Sequence, residues 1–377
     1  MACSAAVAAA NACQLVGVEG GQAGVTQKWF APVAVTGADA YNQWTGVPKV
    51  TGGLVVTGAQ NALVALDTGT GRTIWRTAIG MPVSRYSGSI AAADSVVCMV
   101  DPSGVGCVTT TTGRLLWAQL GDSALEAGTS AADRVTLYYS CKRTVKARSL
   151  ADGHLLWSAD AAISSTFGGR PFGVAVRGDT VYVTAVRVTD TSTRSLRADL
   201  LALDAANGHL LWTYTAAPAP RALRSEFIAP PVFAGRLVIV AELNGAWLIA
   251  VDAATGMEVW RTVDDSTGYV ETQTPPTVIG DTVFSGSTDT QFYAIDVRTG
   301  QLLWRTKAQF SLWSAAVCGR VALVGPVGGG NLWVIDRATH GLAKHDMAGD
   351  DIQTVVAVSG RTAYVGSMQG VYAFTCP

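Results

Sequence analysis

Three stretches of this 377-residue chain repeat one phrase, and this phrase decides the fold. They read ALDTGTGRTIW at residues 65–75, AVDAATGMEVW at residues 250–260 and AIDVRTGQLLW at residues 294–304. Each contains an apolar run, an aspartate, a turn that ends in glycine, and a tryptophan four residues after that glycine. Since self-similarity at a long period is the signature of repeat architectures, we searched the rest of the chain for the same phrase.

Further copies of the phrase cover nearly the whole sequence. A degenerate copy around Asp336 carries Lys344 where we expect the tryptophan. The copies recur about every 45 residues between the first tryptophan and Lys344, which is a typical length for one blade of a β-propeller. Their tryptophans are Trp29, Trp75, Trp117, Trp157, Trp212, Trp260 and Trp304.

Each period contains strands. Between Pro276 and Trp304, four short runs rich in β-branched and aromatic residues are separated by turn residues, which predicts a four-stranded antiparallel meander. The residues from Gly366 to Phe374 match the third strand of such a blade, and the segment at Trp29 matches a fourth strand with nothing before it. Joining the two termini closes the ring and removes exposed sheet edges. We therefore predict an all-β, eight-bladed propeller closed by its N- and C-terminal strands.

The recurring residues have structural roles in this prediction. Each tryptophan can pack flat between neighbouring sheets, and the turn glycine permits a positive φ angle. The aspartate can cap the turn with its carboxylate. We expect the aspartates of this kind to be Asp67, Asp204, Asp252 and Asp296.

The chain divides into residues 1–24, expected to be a flexible segment, and residues 25–377, expected to form the single propeller. The first 13 residues, MACSAAVAAANAC, are small and apolar but lack the basic start of an intact signal peptide. They fit either a disordered tail or the remnant of a trimmed lipoprotein leader with Cys3 or Cys13 near the acylation position.

Composition excludes several classes of protein. The 27 basic and 28 acidic residues balance, which argues against a nucleic-acid partner. Since no run of 18 strongly apolar residues occurs, we expect membrane contact only through an N-terminal anchor. The four histidines leave little room for a metal centre, so we predict no metal, and we expect a monomer.

The seven cysteines suggest disulfides. Cys98 and Cys107 lie on strands joined by one turn, and their spacing places them opposite each other. A Cys13–Cys376 pair would tie the termini together beside the closing blade. Such pairing suits an oxidising, extracytoplasmic or cell-envelope location with lipid anchoring, although a cytoplasmic location stays open.

The repeat segments resemble the tryptophan-docking repeat of the PQQ-like propellers, over about residues 29–374. One branch of that group comprises quinoprotein dehydrogenases, and the resemblance to it would imply pyrroloquinoline quinone, a disulfide between adjacent cysteines and a calcium ion. The other branch includes the BamB-type lipoprotein propellers and actinobacterial sensor propellers. Since no two cysteines are adjacent and the long dehydrogenase insertions are missing, we expect no PQQ and no other cofactor.

The connections that follow each tryptophan strand are long and carry aromatic and basic residues, the types that dominate binding hot spots. They could be ordinary solvated loop tips, a docking surface for a protein or peptide, or the rim of a pocket for a small hydrophobic ligand. The candidate binding residues are Trp44, Arg85, Tyr86, Phe167, Arg170, Arg224, Phe227, Tyr269, Gln273, Phe310, Trp313 and Gln353.

The main functional prediction is a non-catalytic extracytoplasmic scaffold or sensor that binds through these loops. The alternative is a cofactor-independent cyclase, isomerase or hydrolase that uses the axial funnel. Its general acid and base would be Glu226, Glu271 and Asp351, which aligned blades place at equivalent positions. The sequence favours the scaffold but leaves the enzyme open.

Overall fold

The computed structural model describes the propeller strands and most of the tight turns. The described residues are 24–33, 47–59, 62–80, 89–122, 129–161, 169–190, 192–193, 195–217, 225–243, 248–262, 274–287, 289–308, 312–326, 331–347, 350, 352 and 356–377. Within them the chain forms 32 strands in eight four-stranded antiparallel sheets, as the sequence predicts. These residues include no helix with the length and hydropathy that crossing a membrane requires.

The first half of the ring follows strand β1 (Thr26–Pro32), which belongs to the last blade. Blade 1 contains β2 (Lys49–Thr51), β3 (Leu54–Ala59), β4 (Ala62–Asp67) and β5 (Thr73–Ala78). Blade 2 contains β6 (Ser89–Ala92), β7 (Val96–Asp101), β8 (Gly104–Thr109) and β9 (Leu115–Leu120). Blade 3 contains β10 (Ser130–Ala132), β11 (Thr136–Cys141), β12 (Thr144–Ser149) and β13 (Leu155–Asp160). Blade 4 contains β14 (Gly169–Arg177), β15 (Thr180–Asp190), β16 (Ser195–Asp204) and β17 (Leu210–Thr215).

The second half returns to the start. Blade 5 contains β18 (Val232–Ala234), β19 (Leu237–Ala241), β20 (Leu248–Asp252) and β21 (Glu258–Thr262). Blade 6 contains β22 (Thr277–Ile279), β23 (Thr282–Gly286), β24 (Gln291–Asp296) and β25 (Leu302–Lys307). Blade 7 contains β26 (Leu312–Cys318), β27 (Val321–Pro326), β28 (Asn331–Asp336) and β29 (Leu342–Asp346). Blade 8 contains β30 (Ala357–Ser359), β31 (Thr362–Gly366), β32 (Gly370–Thr375) and, as its outer strand, β1.

The termini close the ring inside blade 8. Strand β1 pairs antiparallel with β32, and Trp29 lies opposite Ala373. The inner strand of blade 8, β30, contacts the inner strands of blades 7 and 1. The predicted closure by both termini is therefore confirmed.

The hydrophobic core is divided among the blade junctions. Eight clusters of buried side chains each join two neighbouring blades, so every sheet is covered on both faces. The cluster between blades 4 and 5, for example, contains Tyr182, Phe227 and Ile249. Since apolar contacts lie between blades, each blade depends on its neighbours for burial.

A tryptophan clasp connects successive blades. The indole Nε1 of Trp75 donates a hydrogen bond to the carbonyl oxygen of Thr110 in the next blade, over 2.9 Å, and five further tryptophans make the same contact at 2.9 to 3.2 Å. The ring packs on the turn glycine of that blade: a Cβ added at Gly113 would lie 2.5 Å from Trp75. In blades 1–6 and 8, a β-bulge directly precedes the tryptophan and turns it toward the neighbouring sheet.

The aspartate of the phrase caps the turn that receives the clasp. The carboxylate oxygen Oδ1 of Asp67 accepts hydrogen bonds from the backbone N–H groups of Gly69 (3.1 Å) and Thr70 (2.8 Å). Asp204, Asp252 and Asp296 make the same pair of contacts in their own turns. The carboxylate therefore stabilises the turn from within its own blade.

Blade 7 departs from the pattern in two ways. His340 occupies the position of the turn glycine, with φ of 60°, and its ring stacks on Trp304 at 4.4 Å. Strand β29 also lacks the bulge, so Ala343 pairs with Val334 at the place where other blades carry tryptophan. The prediction that Lys344 takes the tryptophan position is therefore wrong by one residue, because sequence spacing alone does not reveal that the bulge residue is missing.

Two disulfides form among the described residues. Cys98 and Cys107 pair across β7 and β8, and Cys318 pairs with Cys376. The Cys13–Cys376 pair is thus wrong, because Cys376 follows β32 directly and lies beside the end of β26. Cys141 is buried, and its thiol donates a hydrogen bond to Oδ1 of Asp122 at 3.4 Å.

Candidate functional site

The candidate site is one face of the ring, here called the loop-rich face. It is formed by the turns between second and third strands and by the connections from each outer strand to the next blade. Most residues that the sequence singled out belong to parts of these connections that lie outside the described residues. They are Trp44, Arg85, Tyr86, Phe167, Arg224, Tyr269, Glu271, Gln273, Phe310, Asp351 and Gln353.

Four of the candidate residues fall within the described part. Arg170 lies on β14 and Trp313 on β26, and the side chains of both lie outside the described part of the structure. Phe227 is fully buried between blades 4 and 5, so its assignment to a binding surface is wrong. Glu226 is half-buried, and its carbonyl oxygen accepts a hydrogen bond from the Leu243 N–H group at 2.9 Å.

The reason for the error is the alternation of this segment. From Ser225 to Ala229, every second residue is buried, as in a strand that faces the core on one side. Phe227 shares the buried side with Ser225, whose hydroxyl donates a hydrogen bond to the carboxylate of Glu242. Glu242 is also completely buried, directly after β19. This part of the loop-rich face therefore rests on a buried polar pair.

A charged network lies under the same face between blades 2 and 3. Asp122 follows β9, is almost completely buried, and contacts two cations on β12. Its Oδ1 accepts a hydrogen bond from Nζ of Lys146, and its Oδ2 accepts one from Nη2 of Arg148 at 2.7 Å. The Tyr139 hydroxyl also donates to Oδ2, at 2.5 Å. The start of the connection between blades 2 and 3 is thereby fixed to the sheet of blade 3.

The electrostatics of the network follow from these contacts. Burial alone would raise the pKa of Asp122, but the hydrogen bonds from Lys146, Tyr139 and Arg148 outweigh it and hold the pKa well below its ordinary value. Burial and the hydrogen bond to the carboxylate raise the pKa of Tyr139 far above its ordinary value. Burial and the nearby charge of Asp122 also raise the pKa of the Cys141 thiol. Cys141 is thus held as a neutral thiol, which is a poor nucleophile.

A second anchor lies between blades 7 and 8. Asp350, which lies between β29 and β30, is buried, and its Oδ2 accepts hydrogen bonds from the Ser367 hydroxyl (2.6 Å) and the Tyr372 hydroxyl (3.0 Å). The backbone N–H of Gln369 donates to Oδ1 at 3.3 Å. Asp350 therefore binds the connection to the sheet of the following blade, as Asp122 does.

Sequence reasoning missed both anchors, although one signal was present. The third strand of blade 3 reads TVKARS, whereas the corresponding strands of blades 1 and 6 read ALVALD and QFYAID. The two cations of this strand stand at positions where the other two strands carry aliphatic or aromatic residues, so they need a buried partner. Asp122, five residues after Trp117, is the acid that provides it.

An apolar cavity of about 380 Å³, here called the axial cavity, lies along the inner strands of one half of the ring. Its wall comes from the inner strands of blades 5 to 8, and the Thr277 hydroxyl in it already donates to the carbonyl oxygen of Ala315. No described wall residue has a titratable side chain. The described wall residues are Val232, Pro275, Pro276, Thr277, Ile279, Ala315, Ala316, Val317, Val356 and Val358.

The chemistry of this cavity bears on the enzyme alternative. None of the residues of its described wall has an acidic or basic side chain, and the hydroxyl of Thr277 donates a hydrogen bond to the carbonyl oxygen of Ala315. The described residues also include no group of three or more metal-ligating side chains. The sequence also has no adjacent cysteine pair, which is the feature that a resemblance to the quinoprotein dehydrogenases would imply.

These features define a class of protein, the tryptophan-docked propeller with a loop-bearing face. Its family is shown by sequence: the family profile described as "Outer membrane protein assembly factor BamB" matches residues 16–161 and 141–316. The chain belongs to this family of PQQ-like repeat propellers. A relative, outer membrane protein assembly factor BamB of Burkholderia pseudomallei (strain K96243), is 26% identical over 314 residues, which cover 80% of this chain and 76% of the relative.

Solved structures agree on the fold. The crystal structure of BamB from Moraxella catarrhalis matches with a TM-score of 0.70 at 16% identity, over 94% of this chain and 100% of that chain. The computationally designed Ika8 protein matches with 0.68 at 17% identity, over 92% of this chain and 100% of that one. A europium-containing methanol dehydrogenase matches with 0.64 at 14% identity, over 91% and 85%. At these identities the likeness shows the architecture alone.

Proposed function

We propose that this protein is an extracytoplasmic binding scaffold that holds another protein of the cell envelope on its loop-rich face. The observation that carries the proposal is membership of a family whose named relatives are outer membrane protein assembly factors. We extend their role in assembly to this chain as a proposal. We also propose that residues 1–24 act as the tether to the membrane.

The structure supports this role through the way it holds its loops. Asp122 and Asp350 bind the connections before blades 3 and 8 to the sheets below them. A ring that holds the ends of its loops reduces the entropy that is lost when a partner binds. The aromatic and arginine side chains of these loops supply the residue types that dominate protein interfaces.

The two disulfides support a location outside the cytoplasm, because cytosolic proteins of most organisms keep their thiols reduced. Both pairs are buried and join residues inside the folded ring. A scaffold assembled and used in the envelope would keep them oxidised throughout its working life.

The test is a binding measurement with variants on the two faces. A partner captured from the cell envelope by the wild-type protein is purified, and its Kd is measured with a Tyr269→Ala/Trp313→Ala variant. The matched control, His154→Ala/His209→Ala, removes exposed side chains from turns on the opposite face. We expect the loop variant to lose at least about tenfold in affinity while the control stays within about twofold. Equal loss in both variants, or none in the loop variant, would contradict the proposal.

The axial cavity favours a second candidate, a small apolar ligand bound within the ring. Its volume of about 380 Å³ falls in the usual range of ligand pockets, and its described wall is aliphatic. Fluorescence titration with N-phenyl-1-naphthylamine tests this function separately. We expect saturable binding that Val358→Trp abolishes by filling the cavity; titration without saturation would reject the second candidate and leave the scaffold proposal intact.

A further inference from the structure

The junction between blades 7 and 8 differs from the others in how it is fastened. In six junctions the tryptophan of one blade donates to the carbonyl of the residue directly after the third strand of the next, and at the junction of blades 6 and 7 Trp304 stacks on His340 instead. Blade 7 has Ala343 at the tryptophan position and so has no indole to offer blade 8.

Cys376 stands at the acceptor position of blade 8. It directly follows Thr375, the last residue of the third strand β32, as Thr68 follows Asp67 in blade 1. Its carbonyl oxygen accepts hydrogen bonds from Nε (3.2 Å) and Nη2 (3.0 Å) of Arg361. The group that would accept an indole N–H in another blade is therefore already paired within blade 8.

At this junction the sulfur of Cys376 connects blade 8 to blade 7, as an indole hydrogen bond connects the blades at the other junctions of this kind. It is bonded to Cys318, the last residue of β26 in blade 7, and both cysteines are buried. A covalent bond thus crosses the junction that has no tryptophan, at the residue where the tryptophan would dock. The other disulfide, Cys98–Cys107, joins two strands of one blade and crosses no junction.

We propose that Cys318–Cys376 is the clasp of the blade 7–blade 8 junction, so that firm closure of the ring depends on oxidation. Closure is a thiol–disulfide exchange: the two thiols transfer two electrons and two protons to a disulfide-bearing oxidant, which leaves as two thiols while the S–S bond forms. A thiol reductant reverses the step by the same balance. The junction also bounds the axial cavity, since Val317 precedes Cys318 and Val356 and Val358 lie on the blade 8 side.

Hydrogen–deuterium exchange on the full chain tests the proposal. Cys318→Ser/Cys376→Ser is compared with wild type and with the matched control Cys98→Ser/Cys107→Ser. We expect amide exchange in β29, β31 and β32 to become at least about tenfold faster in the first variant, with no such change there in the control. Equal protection of these strands in both variants would overturn the proposal.

A second measurement covers the case in which the first variant does not fold. Folded wild-type protein is treated with increasing concentrations of dithiothreitol, and the free thiols are alkylated and located by mass spectrometry. We expect exchange in β29 and β32 to rise in step with alkylation of Cys318 and Cys376. Unchanged protection after both thiols have been alkylated would show that the bond is not the clasp. This result would leave the scaffold proposal standing, because that one rests on binding.

Discussion

Single residues decide how the loops are attached to the ring. Asp122 is nearly buried yet ionised, because Lys146, Arg148 and Tyr139 surround its carboxylate with donors. A buried ion pair gives little net stability over an apolar pair, but removing one partner strands the other charges. The network therefore fixes position more than it adds stability.

Replacing Asp122 by asparagine should be costly for this reason. We expect Asp122→Asn to lower the free energy of unfolding by about 2–4 kcal/mol, since Lys146 and Arg148 lose their counter-charge. Urea denaturation measures the change, with Asp152→Asn, an exposed residue of the opposite face, as the control expected to stay close to wild type. A variant as stable as wild type would show that the network is not needed to hold the loop.

The same substitution should change the pH dependence of stability. Because the folded-state pKa of Asp122 is depressed, its stabilisation is complete above the unfolded value of about 3.9 and is lost as pH falls toward the folded value. The gap in unfolding free energy between wild type and Asp122→Asn should be constant from pH 8 to about 5 and shrink below pH 4. If the difference in unfolding free energy between the two proteins stayed constant down to pH 3, the lower stability of the variant would be due to packing and not to the lost charge.

His345 also makes stability depend on pH, but here the protonated form of the side chain is the one that the folded state disfavours. It is buried against the Phe374 ring at 5.1 Å, and burial lowers its pKa, while the nearby charge of Asp346 opposes the shift. The unfolded chain then binds the proton first, so wild type should lose stability as pH falls below about 6.5. Denaturation of His345→Phe from pH 7.5 to 5 should show a flatter profile. Parallel profiles would exclude His345 as the source.

At the scale of the element, the outer strand and the turn of the next blade act as one unit. The bulge turns the tryptophan toward the next blade. The turn of that blade needs a residue with positive φ, which glycine adopts readily, and because glycine has no Cβ the indole ring can pack directly on its backbone. This combination explains why tryptophan, glycine and aspartate recur together in the sequence.

A comparison of two glycines separates the cost of positive φ from the cost of displacing the tryptophan ring. Gly153 and Gly178 both have positive φ, but a Cβ at Gly153 would lie 2.5 Å from the Trp117 ring, whereas one at Gly178 would meet no atom within 4 Å. We expect Gly178→Ala to cost about 1 kcal/mol of unfolding free energy, and Gly153→Ala at least about 2 kcal/mol more because the clasp must shift. Urea denaturation measures both. Equal costs would mean that the clasp adjusts freely to the added methyl group.

The elements also show how far sequence reasoning reaches. The repeat predicted the blades and their closure because each recurring residue has one structural task. It misplaced Lys344 because a missing bulge residue changes register without changing spacing. It placed Phe227 at the surface because a short segment outside the repeat gives no period from which to read its buried side. Most candidate binding residues lie on such segments, so their role stays a prediction.

At the scale of the whole molecule, stability depends on a closed circle of junctions. Strand β1 completes blade 8 and carries Trp29, which docks on blade 1 through the Thr68 carbonyl at 3.2 Å. The ring is therefore closed by backbone pairing within blade 8 and by the Cys318–Cys376 bond beside it. Both devices lie in the sector that contains β1 and β32.

Deleting residues 1–32 should open this sector. The edge of β32 would lose its partner strand, and an unpaired edge of this kind promotes association with other chains. We expect a lower Tm and a shift to species larger than those of wild type in light scattering coupled to gel filtration. A truncated chain with the wild-type size and the wild-type Tm would show that β1 is dispensable for closure.

The central claim, that a protein partner docks on the loop-rich face, is tested most directly by cross-linking resolved by face. A photo-reactive amino acid is placed singly at Trp44, Tyr269 or Trp313, and at His154 or His209 on the opposite face, in the full chain expressed in its source cells. The account predicts adducts with one protein partner from the first set and none from the second. Adducts formed only from His154 and His209, or equally from both faces, would contradict it.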